Sequence, residues 1–248
     1  MNFIKKHLGL IVFLYLTSIA FIFKDELLLP SSVINSEDII KERAAKRSVL
    51  IEWENASWSG IILSGGLVDT KILTIIHNDS MRKINDSADK NIKVSLSDGS
   101  SHSAFIESWN SCNELSILTI PNETLSNIPD IILESDSSEI SKRLFSFGHP
   151  LGLNLHYVEG YLSSKGNKIK PCGMITNGFS GGIIPGQTGS GIWNFQGELS
   201  GLIIATSAYP IKVSDDNGVV VGFSAIPITF LGRYIPSSDI RSFLKISP

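Results

Sequence analysis

The chemistry available to this 248-residue chain rests on hydroxyl, imidazole and carboxylate side chains. No phosphate-binding glycine loop, dinucleotide fingerprint, metal-ligand cluster or internal repeat occurs, so neither a metal nor an organic cofactor is expected. Two hydroxyls stand between glycines, where the backbone can turn tightly. Thr188 lies in Ile184-Pro185-Gly186-Gln187-Thr188-Gly189-Ser190-Gly191, and Ser180 in Gly178-Phe179-Ser180-Gly181-Gly182. Among the five histidines, His77 closes the apolar stretch Ile72–Ile76 and precedes the polar Asn78-Asp79-Ser80, a position from which a side chain can leave a core and face a cleft. His149 and His156 lie near a glycine-rich loop, and His102 falls on an exposed alternating strand. An imidazole, an acid and a hydroxyl brought together can carry out acyl transfer.

Such groups need a rigid frame, and the pattern from Val49 onward supplies short β-rich runs separated by turn residues. Strands are expected at Val49–Trp53, Gly60–Leu63, Ile72–Ile76, Ile92–Leu96, Ala104–Trp109, Leu115–Ile120, Leu144–Phe147, Tyr157–Ser163, Ile192–Phe195, Leu199–Ala205 and Val219–Phe223. Many short strands at this spacing indicate an all-β sandwich or barrel pair. Helix is expected in two places. Ser36-Glu37-Asp38 caps a short polar helix running toward Lys46, and near the C-terminus Pro227 suits a first helical turn before Ile228, Leu231 and Ile235, with Ser238-Asp239 opening another before Ile240, Phe243 and Leu244.

The N-terminus has a different texture. Leu8 to Phe23 is uncharged throughout, preceded by Lys5 and Lys6 and followed by Lys24-Asp25-Glu26. The run is a little short of the about 20 residues that span a bilayer, though flanking lysines can snorkel. It reads as an uncleaved signal anchor, that is, an N-terminal transmembrane helix, with a cleaved secretion signal as the alternative. The lysine pair places the N-terminus in the cytoplasm and the remainder outside it. The expected organisation is therefore an anchor over residues 1–24, a juxtamembrane linker over 25–46 and a folded domain over 47–248. A net charge of −3 gives no sign of a nucleic-acid partner. Cys112 and Cys172 are the only cysteines, and their spacing leaves open whether they pair.

Taken in order, several stretches resemble the protease domain of the HtrA/Deg-type, trypsin-like serine proteases. Lys71-Ile72-Leu73-Thr74-Ile75-Ile76-His77-Asn78 resembles the strand ending in that family's catalytic histidine, and Ile92-Lys93-Val94-Ser95-Leu96-Ser97-Asp98-Gly99 its following hairpin. Asn113-Glu114-Leu115-Ser116-Ile117-Leu118 is similar to the acid segment. Phe147-Gly148-His149-Pro150-Leu151-Gly152 is similar to the entry into the second barrel. The Thr188 turn, followed by an apolar strand and the Gly197-Glu198 turn, resembles the active-site Pro-Gly-Asn-Ser-Gly-Gly turn. Gly222-Phe223-Ser224-Ala225-Ile226-Pro227 resembles the Gly-Phe-Ala-Ile-Pro exit.

The resemblance implies two antiparallel six-stranded β-barrels and a peptidase acting on peptides or proteins. It assigns His77, Glu114 and Thr188 to the catalytic triad and the backbone N–H groups of Gly186 and Thr188 to an oxyanion hole. Ser180 is the alternative nucleophile, although it lies eight residues too early for the Gly-Glu turn that should follow; Ser190 lacks the preceding oxyanion glycine. Two departures stand out: glutamate replaces the family's aspartate, and threonine its serine. The β-methyl of Thr188 restricts χ1 and crowds the attacking oxygen, and Asn113 beside Glu114 competes for the orienting place. With these changes, a pseudoprotease that binds extended peptides without cleaving them is the alternative to a working endopeptidase. Leu202, Ile203 and Ile204, on the strand bordering the family's primary pocket, are expected either to line an apolar substrate pocket or to be core residues of a buried strand. A PDZ domain, frequent in such relatives, is not expected, and the oligomeric state is open.

Overall fold

In the computed structural model, the described residues are 36–65, 69–87, 91–121, 128–135, 139–169, 172–214 and 220–245, with backbone alone at 65, 169 and 207–229. The chain divides into two units, Met1–Ile39 and Ile40–Pro248. Of the first, Ser36–Ile39 open helix α1 (Ser36–Arg47). That helix carries Glu37 and Asp38 in its first turn and Lys46 and Arg47 in its last, each sign opposed to the helix-end dipole it meets. The expected transmembrane run Leu8–Phe23 lies outside the described residues. Among those described, no helix is long and apolar enough to cross a membrane.

The second unit holds two closed antiparallel barrels of six strands each. The first runs β1 (Ser48–Trp53), β2 (Ala56–Gly65), β3 (Thr70–Ile75), β4 (Ile92–Ser95), β5 (Ser101–Trp109) and β6 (Leu115–Ile120), in the spatial order β1-β2-β3-β6-β5-β4. The second runs β7 (Arg143–Gly148), β8 (His156–Ile169), β9 (Met174–Phe179), β10 (Gly191–Asn194), β11 (Leu199–Ser214) and β12 (Val220–Pro236), ordered β10-β11-β12-β9-β8-β7. Helix α2 (Asn78–Asp86) follows β3, and α3 (Ser237–Leu244) closes the described chain.

Period-two alternation explains how two barrels share one body. On β3, Ile72 faces the first barrel's core while Leu73 and Ile75 face a second cluster; on β6, Leu118 and Ile120 face the core while Leu115 and Ile117 face that same second cluster. The second cluster is completed by Phe145, Trp193, Leu199, Leu202, Ile204 and Ile235 of the other barrel. Both strands are therefore apolar on both faces, and β6 is buried at every position. The second barrel keeps its own interior of Leu144, Val158, Leu162, Phe179, Ile192, Ile203 and Tyr234.

The structure corrects one local expectation and adds two elements. Pro227, Ile228, Leu231 and Ile235 form no helix: they lie on β12, where Pro227 pairs with Ala208 and Ile235 with Leu202. Period two prevails because Tyr234 and Ile235 serve different cores, one inside the second barrel and one between the barrels. Strand β9 was hidden by its polar Thr176 and Asn177, both buried. Helix α2 was hidden in a short polar stretch, where Met81 and Ile84 at helical spacing meet the first barrel's core. The expected helices after Ser36 and Ser238 are present, the latter beginning at Ser237.

Candidate active site

His77 leaves β3 at the point where the chain turns into α2. It occupies the helix N-cap position with φ −59° and ψ 146°, and its carbonyl accepts the Met81 amide, so the imidazole points away from the barrel strand. The preceding residue is pinned from two sides: the Ile76 amide donates to Glu114 O at 3.0 Å, and Trp109 Nε1 donates to Ile76 O at 3.1 Å.

Glu114 approaches from the loop joining β5 to β6. Asn110 organises that loop, its Oδ1 accepting the amides of Cys112 and Asn113 and its carbonyl accepting the Glu114 amide at 2.7 Å. The result is a left-handed backbone at Glu114, φ 58°, which is unfavourable for a residue with a side chain. The strained turn directs the carboxylate at His77. Glu114 Oε2 lies 2.7 Å from His77 Nδ1, and Oε1 accepts the Asn78 amide at 2.9 Å and Asn78 Nδ2 at 2.8 Å. Asn113 turns elsewhere, accepting the Leu115 amide with its Oδ1, so the glutamate and not its asparagine neighbour orients the imidazole.

Burial pushes the Glu114 carboxyl up, but the hydrogen bonds from His77 and Asn78 outweigh it, and the group lies below the usual carboxylate range. An ionised carboxylate can only accept, so Nδ1 carries the imidazole proton. Nε2 is then left with its lone pair free to take one. The His77 side chain is 46% exposed against 15% for Glu114, which buries the acid and leaves the imidazole accessible.

Thr188 comes from the second barrel. It lines with His77, Ser57, Trp58, Ile76 and Gly186 a cavity of about 130 Å³. Its turn is anchored to the first barrel by Ser59 on β2. The Ser59 amide donates to Thr188 O at 2.8 Å, its Oγ donates to Gly186 O at 2.8 Å, and that same Oγ accepts the His149 amide at 2.9 Å. Two glycines permit the geometry. Gly189 has φ +85°, and a Cβ there would sit 2.0 Å from Ser59 O; Gly186 has φ +95°, and a Cβ would sit 2.4 Å from the Leu151 amide nitrogen. Buried Gln187 tightens the turn further, its Oε1 accepting the Ile184 amide at 2.7 Å.

Within the turn, the Gln187, Gly189 and Ser190 amides donate to Ile184, Ile203 and Gln187 carbonyls respectively. The Gly186 and Thr188 amides donate to no acceptor among the described residues. They are two unspent backbone donors beside a hydroxyl. Among the described residues, no hydrogen bond joins Thr188 Oγ1 to His77.

Other expected participants lie apart from this cavity. Ser180, exposed at the end of β9, accepts the Tyr161 amide with its Oγ at 2.9 Å while its own amide donates to Tyr161 O. Ser190 is fully buried against Gly148. Leu202, Ile203 and Ile204 are 0%, 1% and 3% exposed and belong to the two apolar clusters that involve the second barrel. Sequence reasoning missed the roles of Ser59, whose amide and Oγ hold the Thr188 turn, and of Asn78, whose amide and Nδ2 both donate to Glu114 Oε1. A lone serine between Trp58 and the apolar Gly60-Ile61-Ile62 was the available signal for the first; nothing in the pattern marked the second.

No family model matches the chain, and no curated protein matches it in sequence. Solved structures do. A protease from M. tuberculosis, Rv3671c, in its inactive form as a serine-to-alanine mutant, superposes with a TM-score of 0.61 at 13% identity over 87% of this chain and 92% of that one. Another inactive form of Rv3671c gives 0.62 at 12% identity over 87% and 96%. The HtrA-type protease AlgW, as a serine-to-alanine variant with a tripeptide, gives 0.64 at 20% identity over 84% of this chain; this chain spans 62% of AlgW.

Proposed function

Starting from the trypsin-like fold shared with Rv3671c and the HtrA-type protease AlgW, we propose that the chain is a membrane-anchored serine-type endopeptidase that cleaves peptide bonds by acyl transfer. His77, Glu114 and Thr188 form its degenerate triad. The observation that carries this reading is the convergence of an oriented imidazole, a hydroxyl and two unspent amides at one cavity. Thr188 Oγ1 attacks the substrate carbonyl while His77 Nε2 takes its proton. The Gly186 and Thr188 N–H groups stabilise the oxyanion, and His77 returns the proton to the leaving amine. Water then releases the acyl group by the same steps in reverse. The tripeptide held by AlgW supports a peptide substrate. Anchoring rests on the Leu8–Phe23 run and the lysines before it.

A second reading, peptide capture without turnover, is favoured by the missing hydrogen bond between Thr188 and His77. The added β-methyl restricts χ1, and a displacement of the oxygen by about 1 Å costs on the order of 10²-fold in rate. A fluorophosphonate probe followed by mass spectrometry separates the two, applied to a chain starting at Ser36 beside its T188S and H77A variants. Label on Thr188 that vanishes in H77A is the outcome expected of the peptidase. Label confined to T188S makes the protein a peptide binder with an assembled but silent site, and no label on either native protein or T188S removes both acyl-transfer assignments. Label on Ser180 transfers the nucleophile's role to that residue.

A further inference from the structure

Cys112 and Cys172 are 60 positions apart in sequence, one in the first barrel's acid-bearing loop and the other in the turn before β9 of the second. They meet in the fold. Cys112 Sγ lies 3.7 Å from the Cys172 carbonyl oxygen. Both are free cysteines, Cys172 exposed and Cys112 partly buried. Met174, two residues beyond Cys172, packs on the apolar cluster between the barrels, which fixes this end of the β8–β9 hairpin beside the loop. On the other side, the Cys112 amide is fastened to Asn110 Oδ1 at 2.8 Å. The two cysteines are thus brought together by two anchored backbones.

We propose that Cys112 and Cys172 are a thiol–disulfide exchange site, whose oxidation by a disulfide-bearing oxidant cross-links the two barrels next to the triad acid. Exposed Cys172 attacks first: its thiolate displaces one thiolate from the oxidant and forms a mixed disulfide. The Cys112 thiolate then attacks the Cys172 sulfur and expels the second thiolate. One sulfur–sulfur bond forms in the protein and one breaks in the oxidant. The two protons leaving the cysteines are taken up by the two released thiols, and the oxidant accepts two electrons. The order follows from access, and the neighbouring Cys172 thiol together with burial also pushes the Cys112 thiol up, making it the poorer first nucleophile.

The cross-link acts on the loop that holds Glu114. The chain runs from Cys112 to Glu114 through one residue, and the left-handed turn at Glu114 is held by hydrogen bonds within the Asn110–Leu115 loop. A covalent tie to the second barrel restrains that turn against opening. This consequence for activity rests on the peptidase reading; the cross-link itself does not.

The test uses the full-length chain in detergent, exposed to oxidised glutathione and then to a maleimide, with peptide mapping before and after dithiothreitol. The expected product is a monomer lighter by two hydrogen atoms, inert to maleimide, with one peptide pair joined through Cys112 and Cys172. Its Tm should rise by about 5–10 °C and fall back on reduction, since closing a loop of this length constrains the unfolded chain. In C112S the reaction should stop with glutathione on Cys172, and in C172S Cys112 should react more slowly. Persistent maleimide labelling at both residues, stable glutathione adducts on the native chain, or a disulfide joining two chains would each overturn the proposal. Because the readouts are mass and Tm, they stand whether or not the probe labels Thr188. If it does, reduction should lower the labelling rate of the native chain and leave that of C112S unchanged.

Discussion

Glu114 meets His77 from a backbone held in the left-handed region. Its φ of 58° costs energy. That cost is offset by the hydrogen bonds from Asn78 and His77, which favour the ionised carboxylate over the neutral acid. The sign of the pH dependence follows. The folded-state pKa lies below the unfolded value of about 4.3, so the stabilisation is complete above that value and is lost as pH falls through the lower, folded one. Urea midpoints measured from about pH 6 down to about pH 3 should therefore fall more steeply for the native protein than for E114Q. Equal slopes would mean that the carboxylate is not held in its charged form by these partners.

Strand β11 carries residues that a reading of specificity and a reading of packing claim at once. Leu202 is fully buried between the barrels, whereas Leu151, in the loop whose amide nitrogen approaches Gly186, is 63% exposed. Leu202→Ala should destabilise by about 2–5 kcal/mol, the range for opening a cavity in a packed core. Leu151→Ala should stay within about 0.5 kcal/mol. Denaturant titration of the two variants checks the contrast, and a mild effect at Leu202 would place that side chain at an adaptable surface instead.

Across the whole molecule, the two barrels are joined by an apolar cluster and by the Ser59 contacts to the Thr188 turn, so the site exists only when both barrels are folded together. The second barrel has a liability at high pH. Tyr234 is 2% exposed; burial is the main cause raising its hydroxyl pKa, to about 12, while Asn177 donates to it at 3.4 Å. An unfolded tyrosine ionises near 10. Between those values the unfolded chain releases a proton that the folded one retains, so stability is present below the unfolded pKa and is lost as pH rises through the folded one. Y234F should lack this alkaline component, read as a smaller drop in Tm between about pH 9 and about pH 11 than the native protein shows.

Alternation and turn residues determined an all-β sandwich or barrel pair, and the resemblance carried by the ordered motifs implied two barrels and brought His77, Glu114 and Thr188 forward as one set, because these signals are local and survive without partners. Most strand positions followed for the same reason. What tertiary structure decided was non-local. Whether Glu114 or Asn113 faces the imidazole depended on Asn78, on a separate segment of the chain, whose Nδ2 donates to Glu114 Oε1, while Asn110 accepts the Asn113 and Glu114 amides. Whether Leu202 and Ile204 line a pocket or a core depended on the other barrel's Leu73 and Leu115. The Pro227 segment became strand because β11 claimed its backbone at Pro227 and Ile228 and β9 paired with it at Gly232–Tyr234, overriding a local helix signal. The meeting of Cys112 with Cys172 had no local signal at all: the distance between two sulfurs is set by how two barrels pack, and sequence spacing does not contain it.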